Sequence, residues 1–357
     1  MKASVASALG ILSLVLATGM TPARADEPVD FKGETVTLLV GFAAGGGTDA
    51  TARLMAPFFG KYLPGHPTVI VRNMPGAFGM TSLNYILQQT KPDGLTLSLG
   101  ANSQVDPVNY RKAPIHYDPR DFVYIGGIGR GGSALLANEE AVPRLSDKKA
   151  APVVMGSVGS WPRGGMQTTV WGIEFLGWNA RWVSGYQGNN DLILALDRGE
   201  VDMTSTSNKF QIDKLVASGR FRILYQNGSL ENGRFVGRPD LPGVPVFEEV
   251  MRDKIADPLA EKAFQYWVAI TATDKFLALA PKTPAPISAA YRTAFLSTVK
   301  DPEFVKLGPK LSEDFAAISA EDIARLIGTL ADTPDEVVTY MTQLLAKQGL
   351  EDDGKKR

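Results

Sequence analysis

Cysteine is absent from the 357 residues, and histidine occurs twice, at His66 and His116. The first absence excludes disulfides, thiolate metal sites and cysteine nucleophiles together. The scarcity of histidine leaves an imidazole metal site or a Ser-His-Asp triad only two residues to draw on. Both read as exposed loop positions, His66 between Pro64 and Pro67 and His116 just after Pro114. Charge of one sign is lacking too. Lys and Arg number 37 against 38 Asp and Glu, a formal net charge of -1, with no basic footprint of the kind that holds nucleic acid. Beyond the N-terminus no apolar run approaches the ~18 residues of a spanning helix. What remains, 44% hydrophobic and 21% charged, is an ordinary globular composition. It is long enough for two domains and can bury a core without disulfide staples.

The N-terminus is a separate matter. Lys2 gives a positive start, residues 5–16 are apolar over signal-peptide length, and Ala23-Arg24-Ala25 fits a small-residue cleavage site. Residues 1–25 therefore read as a secretory signal, and the mature chain as an exported, periplasmic protein.

Among the residues that are present, one stretch organises the others: Val40-Gly41-Phe42-Ala43-Ala44-Gly45-Gly46-Gly47-Thr48-Asp49. The apolar residues 35–40 read as a buried strand, and three glycines then lead into residues with helical period. A strand, glycine loop and helix start bring unpaired N–H groups and the positive end of the helix dipole to one small volume, which suits an anion. Ala44, Gly45, Gly46, Gly47, Thr48 and Asp49 are thus candidate ligand contacts, with Thr48 or Asp49 the expected N-cap.

The same grammar recurs along the chain. Strands are expected at 68–72 and 95–99, with a helix carrying Leu83, Ile86 and Leu87 between them. A second glycine turn, Pro75-Gly76-Ala77-Phe78-Gly79, and a third exit at Asn102 join the first loop at one sheet edge. Residues 126–132 are glycine-rich and read as a crossing. A second unit follows, with strands at 152–155, 181–183 and 201–203 and small or polar exits holding Ser157, Ser160, Arg163, Tyr186, Ser205 and Asn208. Trp171, Trp178 and Trp267 read as core. Residues 265–270 read as a further strand, and 287–299, 321–330 and 334–347 as helices. The expected fold class is α/β, two lobes that are each a mostly parallel sheet flanked by helices, enclosing a cleft. Residues 26–128 form the first lobe, 129–242 the second, and 243–357 return to the first.

These motifs resemble the periplasmic solute receptors of tripartite tricarboxylate transporters. The first loop followed by Ala52-Arg53-Leu54 resembles their first signature, and Asn73-Met74-Pro75-Gly76-Ala77-Phe78-Gly79 their second loop, usually N-R-P-G-A-G-G. Lys91-Pro92-Asp93-Gly94, Tyr186-Gln187-Gly188 and Leu279-Ala280-Pro281-Lys282-Thr283-Pro284 extend the likeness over nearly the whole mature chain. The resemblance implies a Venus-flytrap receptor that is not an enzyme and carries no cofactor. It would hold one carboxylate of a small organic acid on the main-chain amides of residues 44–49 and 75–79, as a monomer, and pass it to membrane permease subunits. Asp49 would contribute its N–H and cap its helix. Arg163 could reach a second carboxylate from the other lobe, and Tyr186 could stack on the ligand. This sequence departs from the pattern at Ala44, Met74 and Phe78 and in Trp161-Pro162-Arg163, all expected to line the cleft.

A rival reading comes from Gly45-Gly46-Gly47-Thr48-Asp49-Ala50, which satisfies G-x-G-x-x-A after a strand and would suit an exported NADP-binding Rossmann oxidoreductase. That motif needs an acidic residue at the end of the second strand to hold the ribose. Arg72 and Asn73 stand there instead.

Overall fold

The computed structural model describes residues 29–350 apart from 112–114, 130–131, 160, 163, 187, 232–233 and 309–315. The expected signal segment, Ser160 and Arg163 lie outside the described residues. In chain order the first unit is β1 (Thr35–Val40), α1 (Gly47–Tyr62), β2 (Thr68–Asn73), α2 (Met80–Gln89), β3 (Thr96–Ala101), the one-turn α3 (Pro107–Tyr110) and β4 (Val123–Gly129). A second unit follows: β5 (Ala134–Asn138), β6 (Val153–Val158), α4 (Thr168–Phe175), β7 (Ala180–Tyr186), α5 (Asn189–Asp197), β8 (Met203–Thr206), α6 (Lys209–Ala217) and β9 (Phe221–Gln226). The hairpin β10 (Ser229–Glu231) and β11 (Arg234–Val236) leads to α7 (Phe247–Met251), α8 (Pro258–Ala272) and β12 (Lys275–Leu279). The chain closes with α9 (Ala285–Lys300), α10 (Pro302–Leu307), β13 (Ala316–Ile318), α11 (Ala320–Ala331) and α12 (Asp335–Lys347).

Two sheets result. The first has the order β13-β4-β12-β3-β1-β2 and the second β7-β6-β8-β5-β9. β1 runs parallel to β2 and β3, and β6 parallel to β7 and β8, as strands joined by crossover helices must. β12 and β13 join the first sheet antiparallel, and β5 pairs antiparallel with β8 and β9. Two α/β lobes are therefore present as expected, each with a mixed sheet in place of a mostly parallel one. No helix among the described residues is long and apolar enough to cross a membrane.

Leu38, Leu39 and Val40 are all fully buried, because helices cover both faces of β1. Met55 and Phe59 of α1 pack with Tyr291 and Phe295 of α9 in one apolar cluster, while Met80, Leu83 and Ile86 of α2 belong to another. Trp171, Trp178 and Trp267 are core residues, as expected. Trp171 packs edge-on against Phe264 at 5.0 Å between ring centroids and Trp178 stacks on Tyr225 at 5.5 Å. Residues 265–270 are helical, which corrects the strand expected there. They belong to α8, whose start is fixed by Asp257 accepting from the N–H groups of Leu259 and Ala260, and which buries Ala260, Ala263, Phe264, Trp267 and Ile270 along one stripe.

The chain passes between the sheets after β4 and again after β9, and the two passages are tied together. Asn227 N–H donates to the Ser133 carbonyl at 2.8 Å. Gly132 has no room for a side chain there, since a Cβ would lie 1.6 Å from the Asn227 carbonyl oxygen. Arg238, its side chain fully buried, donates to the carbonyls of Gly132 (3.0 Å) and Ser207 (3.2 Å) and pairs with Asp240 at 2.8 Å. Gly126, Gly127 and Gly129 belong to β4 together with Ile128, so the crossing is shorter than the glycine run suggested. At the other end of the chain, Lys347 pairs with Glu174 at 2.7 Å and Gln348 donates to the Val170 carbonyl at 2.9 Å, placing the end of α12 against the second lobe.

Candidate functional site

The first glycine loop begins where β1 ends. α1 starts after Gly46, which takes an extended conformation with no side-chain cap, so neither Thr48 nor Asp49 is the N-cap. The reason lies in what Asp49 does instead. Its buried carboxylate accepts from the Gly45 N–H (2.9 Å), from Arg53 Nε (2.9 Å) and from Asn73 Nδ2 (2.9 Å), while Asn73 Nδ2 also donates to the Phe42 carbonyl (2.9 Å). Burial alone would raise the Asp49 carboxyl's pKa, and the bonds from Arg53, Gly45 and Asn73 outweigh it and hold the group below its ordinary value. Asp49 thus braces the loop from beneath. Gly45, at a φ of +82°, already has a partner for its amide, and the Gly46 amide leans on the Ala43 carbonyl at 3.4 Å. The first intrahelical bond is Ala50 N–H to Gly46 carbonyl, so the amides of Gly47, Thr48 and Asp49 stand ahead of the helix ladder. Of the six candidates in this loop, those three are the ones an anion can reach through helix-start geometry. Ala44 is exposed beside them.

The second loop is held in an unusual form. Gly76, Ala77, Phe78 and Gly79 all have positive φ, at 145°, 45°, 55° and 91°. For Ala77 and Phe78 that conformation costs roughly 1–2 kcal/mol each, so the surroundings must enforce it. They do. Ser103 Oγ donates to the Phe78 carbonyl (2.9 Å), while Gln104 Nε2 (2.9 Å) and Ser82 Oγ (2.7 Å) both donate to that of Gly79. Gln104 is itself fully buried and accepts from the Ala101 N–H at 2.8 Å. The exit of β3 therefore clamps the exit of β2. The exit of β1 closes the set, because a Cβ at Gly41 would lie 2.7 Å from the Gly79 carbonyl oxygen. Pro75 has no amide hydrogen and cannot donate, which corrects its inclusion among the N–H donors. Gly79 commits its N–H to the Gly76 carbonyl at 2.8 Å. Gly76 and Ala77 are the remaining candidate donors of this loop.

The second lobe meets these loops directly. A Cβ built on Gly159, just past β6, would lie 2.9 Å from Phe78 Cε1, and one on Gly164 would lie 3.3 Å from Asn102 Nδ2. Asn190, in the first turn of α5, reaches the Gly45 carbonyl with its Nδ2 at 3.4 Å. Behind it stands Gln211, which donates to Asn190 Oδ1 (3.3 Å) and accepts from Thr206 Oγ1 (2.8 Å).

The remaining expected contacts divide. Ser157 lies inside β6 and is fully buried, its hydroxyl only 3.4 Å from the Val158 carbonyl. The strand runs three residues further than the apolar run because Ser157 continues to pair with Ser184 of β7. Tyr186 is half-buried at the end of β7, where its carbonyl takes the Gly159 N–H at 2.9 Å. Ser205 is buried in β8, and Asn208 caps α6 by accepting from the Gln211 N–H at 3.2 Å. Asn102 bonds to the Ile270 carbonyl at 3.1 Å. Asn190, Gln211, Ser103 and Gln104 are absent from the expected set. For Asn190 the signal was its place directly after the Tyr186-Gln187-Gly188 turn, whereas nothing in sequence period marks Gln104 as a buried clamp.

Arg72, the residue that could have met a 2′-phosphate, points its guanidinium over the Tyr85 ring at 5.6 Å. β1 has β2 and β3 as neighbours, with β12 antiparallel beyond. A dinucleotide fold instead places its fourth strand beside the first.

A family profile described as "Tripartite tricarboxylate transporter family receptor" matches residues 52–341. A curated relative from Cupriavidus necator, "UPF0065 protein in gbd 5'region", is 29% identical over 256 residues, which covers 68% of this chain and 72% of the relative. Two solved structures from Rhodopseudomonas palustris share the fold. Rpa4515 with adipate has a TM-score of 0.66 at 21% identity, covering 90% of this chain and 99% of its own. MatC with bound malate has a TM-score of 0.60 at 19% identity, covering 85% and 98%.

Proposed function

Because this chain belongs to the receptor family of tripartite tricarboxylate transporters, we propose that it captures a small organic acid outside the cytoplasm and delivers it to membrane permease subunits, without catalysing a reaction. The observation that carries this reading is the pair of braced loops at one sheet edge. First-turn amides of α1 and the left-handed turn before α2 lie side by side, facing a second lobe that already touches both. Main-chain donors fixed in advance favour an anion without the cost of ordering a side chain. MatC and Rpa4515, which share the fold, hold malate and adipate, both small organic acids. Residues 26–128 and 243–357 would supply one lobe, 129–242 the other, and residues 1–25 the export signal. Ser160 and Arg163, outside the described residues, are kept as contacts of the second lobe, and so is Tyr186.

The test is a thermal-shift and calorimetric screen of mono-, di- and tricarboxylates on residues 26–357. A ligand at a hundred times its Kd adds about 2.7 kcal/mol of stability and raises the melting temperature accordingly. Gly46→Leu is the matched control, since Gly46 has a φ of -77° and a Cβ there would approach only the Ala43 carbonyl, at 3.4 Å. That variant should melt with the parent and lose acid binding by at least tenfold. A screen with no responding acid, or an unchanged dissociation constant in Gly46→Leu, would remove the loop from the site.

A further inference from the structure

A ring from the second loop reaches the other lobe. Phe78 is held by its backbone as well as by packing against the larger apolar cluster. Its φ of 55° and ψ of 30° set the Cα–Cβ direction, and its carbonyl is held by Ser103 Oγ at 2.9 Å. The next residue, Gly79, is clamped by Gln104 and Ser82. The locked main chain sets the direction in which the side chain leaves the loop, and packing places the ring. It ends against Gly159 of the second lobe, so closely that a single added carbon there would stand 2.9 Å from Cε1. Gly159 is itself at a φ of +71° and held on both sides, its N–H on the Tyr186 carbonyl (2.9 Å) and its carbonyl on the Gly185 N–H (2.8 Å). Neither partner can yield easily. Two further lobe-to-lobe approaches are those of Asn190 to Gly45 and Asn102 to Gly164.

We propose that Phe78 sets the length of acid this receptor accepts: by spanning from the amide seat to Gly159 it closes the far end of the site and restricts the ligand to short-chain acids. The inference rests on the carboxylate-receptor reading above. A long acid could be housed only if the ring left Gly159, which would open the lobes and forfeit the contacts of the closed form. A short acid fits between the amides and the ring with both lobes in place.

The experiment measures dissociation constants of malate, succinate, adipate and sebacate on residues 26–357, for the parent, Phe78→Gly and Phe78→Ala. The expected parent profile favours malate or succinate over sebacate by at least tenfold. Phe78→Gly relieves the left-handed backbone and removes the ring, so it should reduce that ratio to about threefold or less by tightening adipate and sebacate. Phe78→Ala, which keeps the conformation Ala77 already adopts, should do the same. Equal affinity for short and long acids in the parent overturns the proposal with no variant needed, and so does an unaltered ratio in either folded variant. Failure of every acid to bind the parent would instead sink the receptor reading, and the two failures are thereby told apart.

Discussion

Asp49 puts a negative charge beneath a loop that we read as a seat for anions, and its partners resolve the conflict. The carboxylate is turned down into the lobe, where Arg53 neutralises it and Gly45 and Asn73 saturate its oxygens, while the N–H of the same residue belongs to the open first turn of α1. One residue thus supplies an acceptor to the scaffold and would supply a donor to the proposed site. Asp49→Asn retains the shape and removes the charge. Bonds to charged groups contribute about 1.5–3 kcal/mol, and the low end applies because Arg53 is half exposed. Urea unfolding should therefore show a loss of about 1–2 kcal/mol with an unchanged slope. A variant as stable as the parent would mean that the brace does not hold the loop.

At the scale of elements, the short helix α7 brings a buried acid to the place where the chain crosses between sheets. Glu248 is 4% exposed and accepts from the Gly228 N–H (3.0 Å) and Asn227 Nδ2 (3.2 Å), the residues that follow β9. Burial pushes its carboxyl up to about 7, against a partial downward pull from those two bonds. The folded protein therefore keeps this proton up to about pH 7, whereas the unfolded chain releases it near pH 4.5. Between those values the folded state binds more protons, so this group makes stability fall as pH rises, by roughly 3 kcal/mol at most at about 1.4 kcal/mol per pH unit. Chemical denaturation from pH 5 to pH 8 should reveal that decline, and Glu248→Gln should flatten it. A parent whose stability is level or rising over that window, with Glu248→Gln giving the same curve, would contradict the assignment.

How much of these elements the sequence displayed depended on what buried them. β1, where apolar residues run unbroken to the glycines, was legible to the residue. β8 was displaced because Thr204, Ser205 and Thr206 are polar and yet buried, so hydropathy ended the strand where pairing begins. The aromatic and β-branched residues of 265–270 imitated a strand, and only the stripe reaching back to Ala260 marks a helix. β5, β9, β12 and β13 went unrecognised; each joins its sheet by antiparallel pairing, outside the strand-helix-strand alternation that marked the others. In the site, glycine spacing disclosed both loops. The clamps beneath them, Asn73, Ser103 and Gln104, act through distant carbonyls and leave no periodic trace.

For the whole molecule, function turns on how much the two lobes gain from touching. Among the described residues, the approaches between the loops and the second lobe include Phe78 toward Gly159, Asn102 beside Gly164, and Asn190 on Gly45, apart from the packing of α8 and α12 on that lobe. A ligand that bridges both lobes adds its own contacts only in the closed arrangement and so shifts the population toward it. The long Asn190 bond, at 3.4 Å and exposed, belongs at the weak end of hydrogen bonds, about 0.5 kcal/mol. Its removal in Asn190→Ala should then weaken acid binding only about two- to threefold, through the closing equilibrium and with the melting temperature of the free protein unmoved. Small-angle scattering gives the independent measure. Saturating acid should shrink the radius of gyration of the parent, and Asn190→Ala should reach the same compact limit at a higher acid concentration. If Asn190→Ala instead abolishes binding, Asn190 touches the ligand itself and the seat extends further into the second lobe. If the acid binds with no compaction at all, the lobes are already closed before it arrives, and affinity is set by the loops alone.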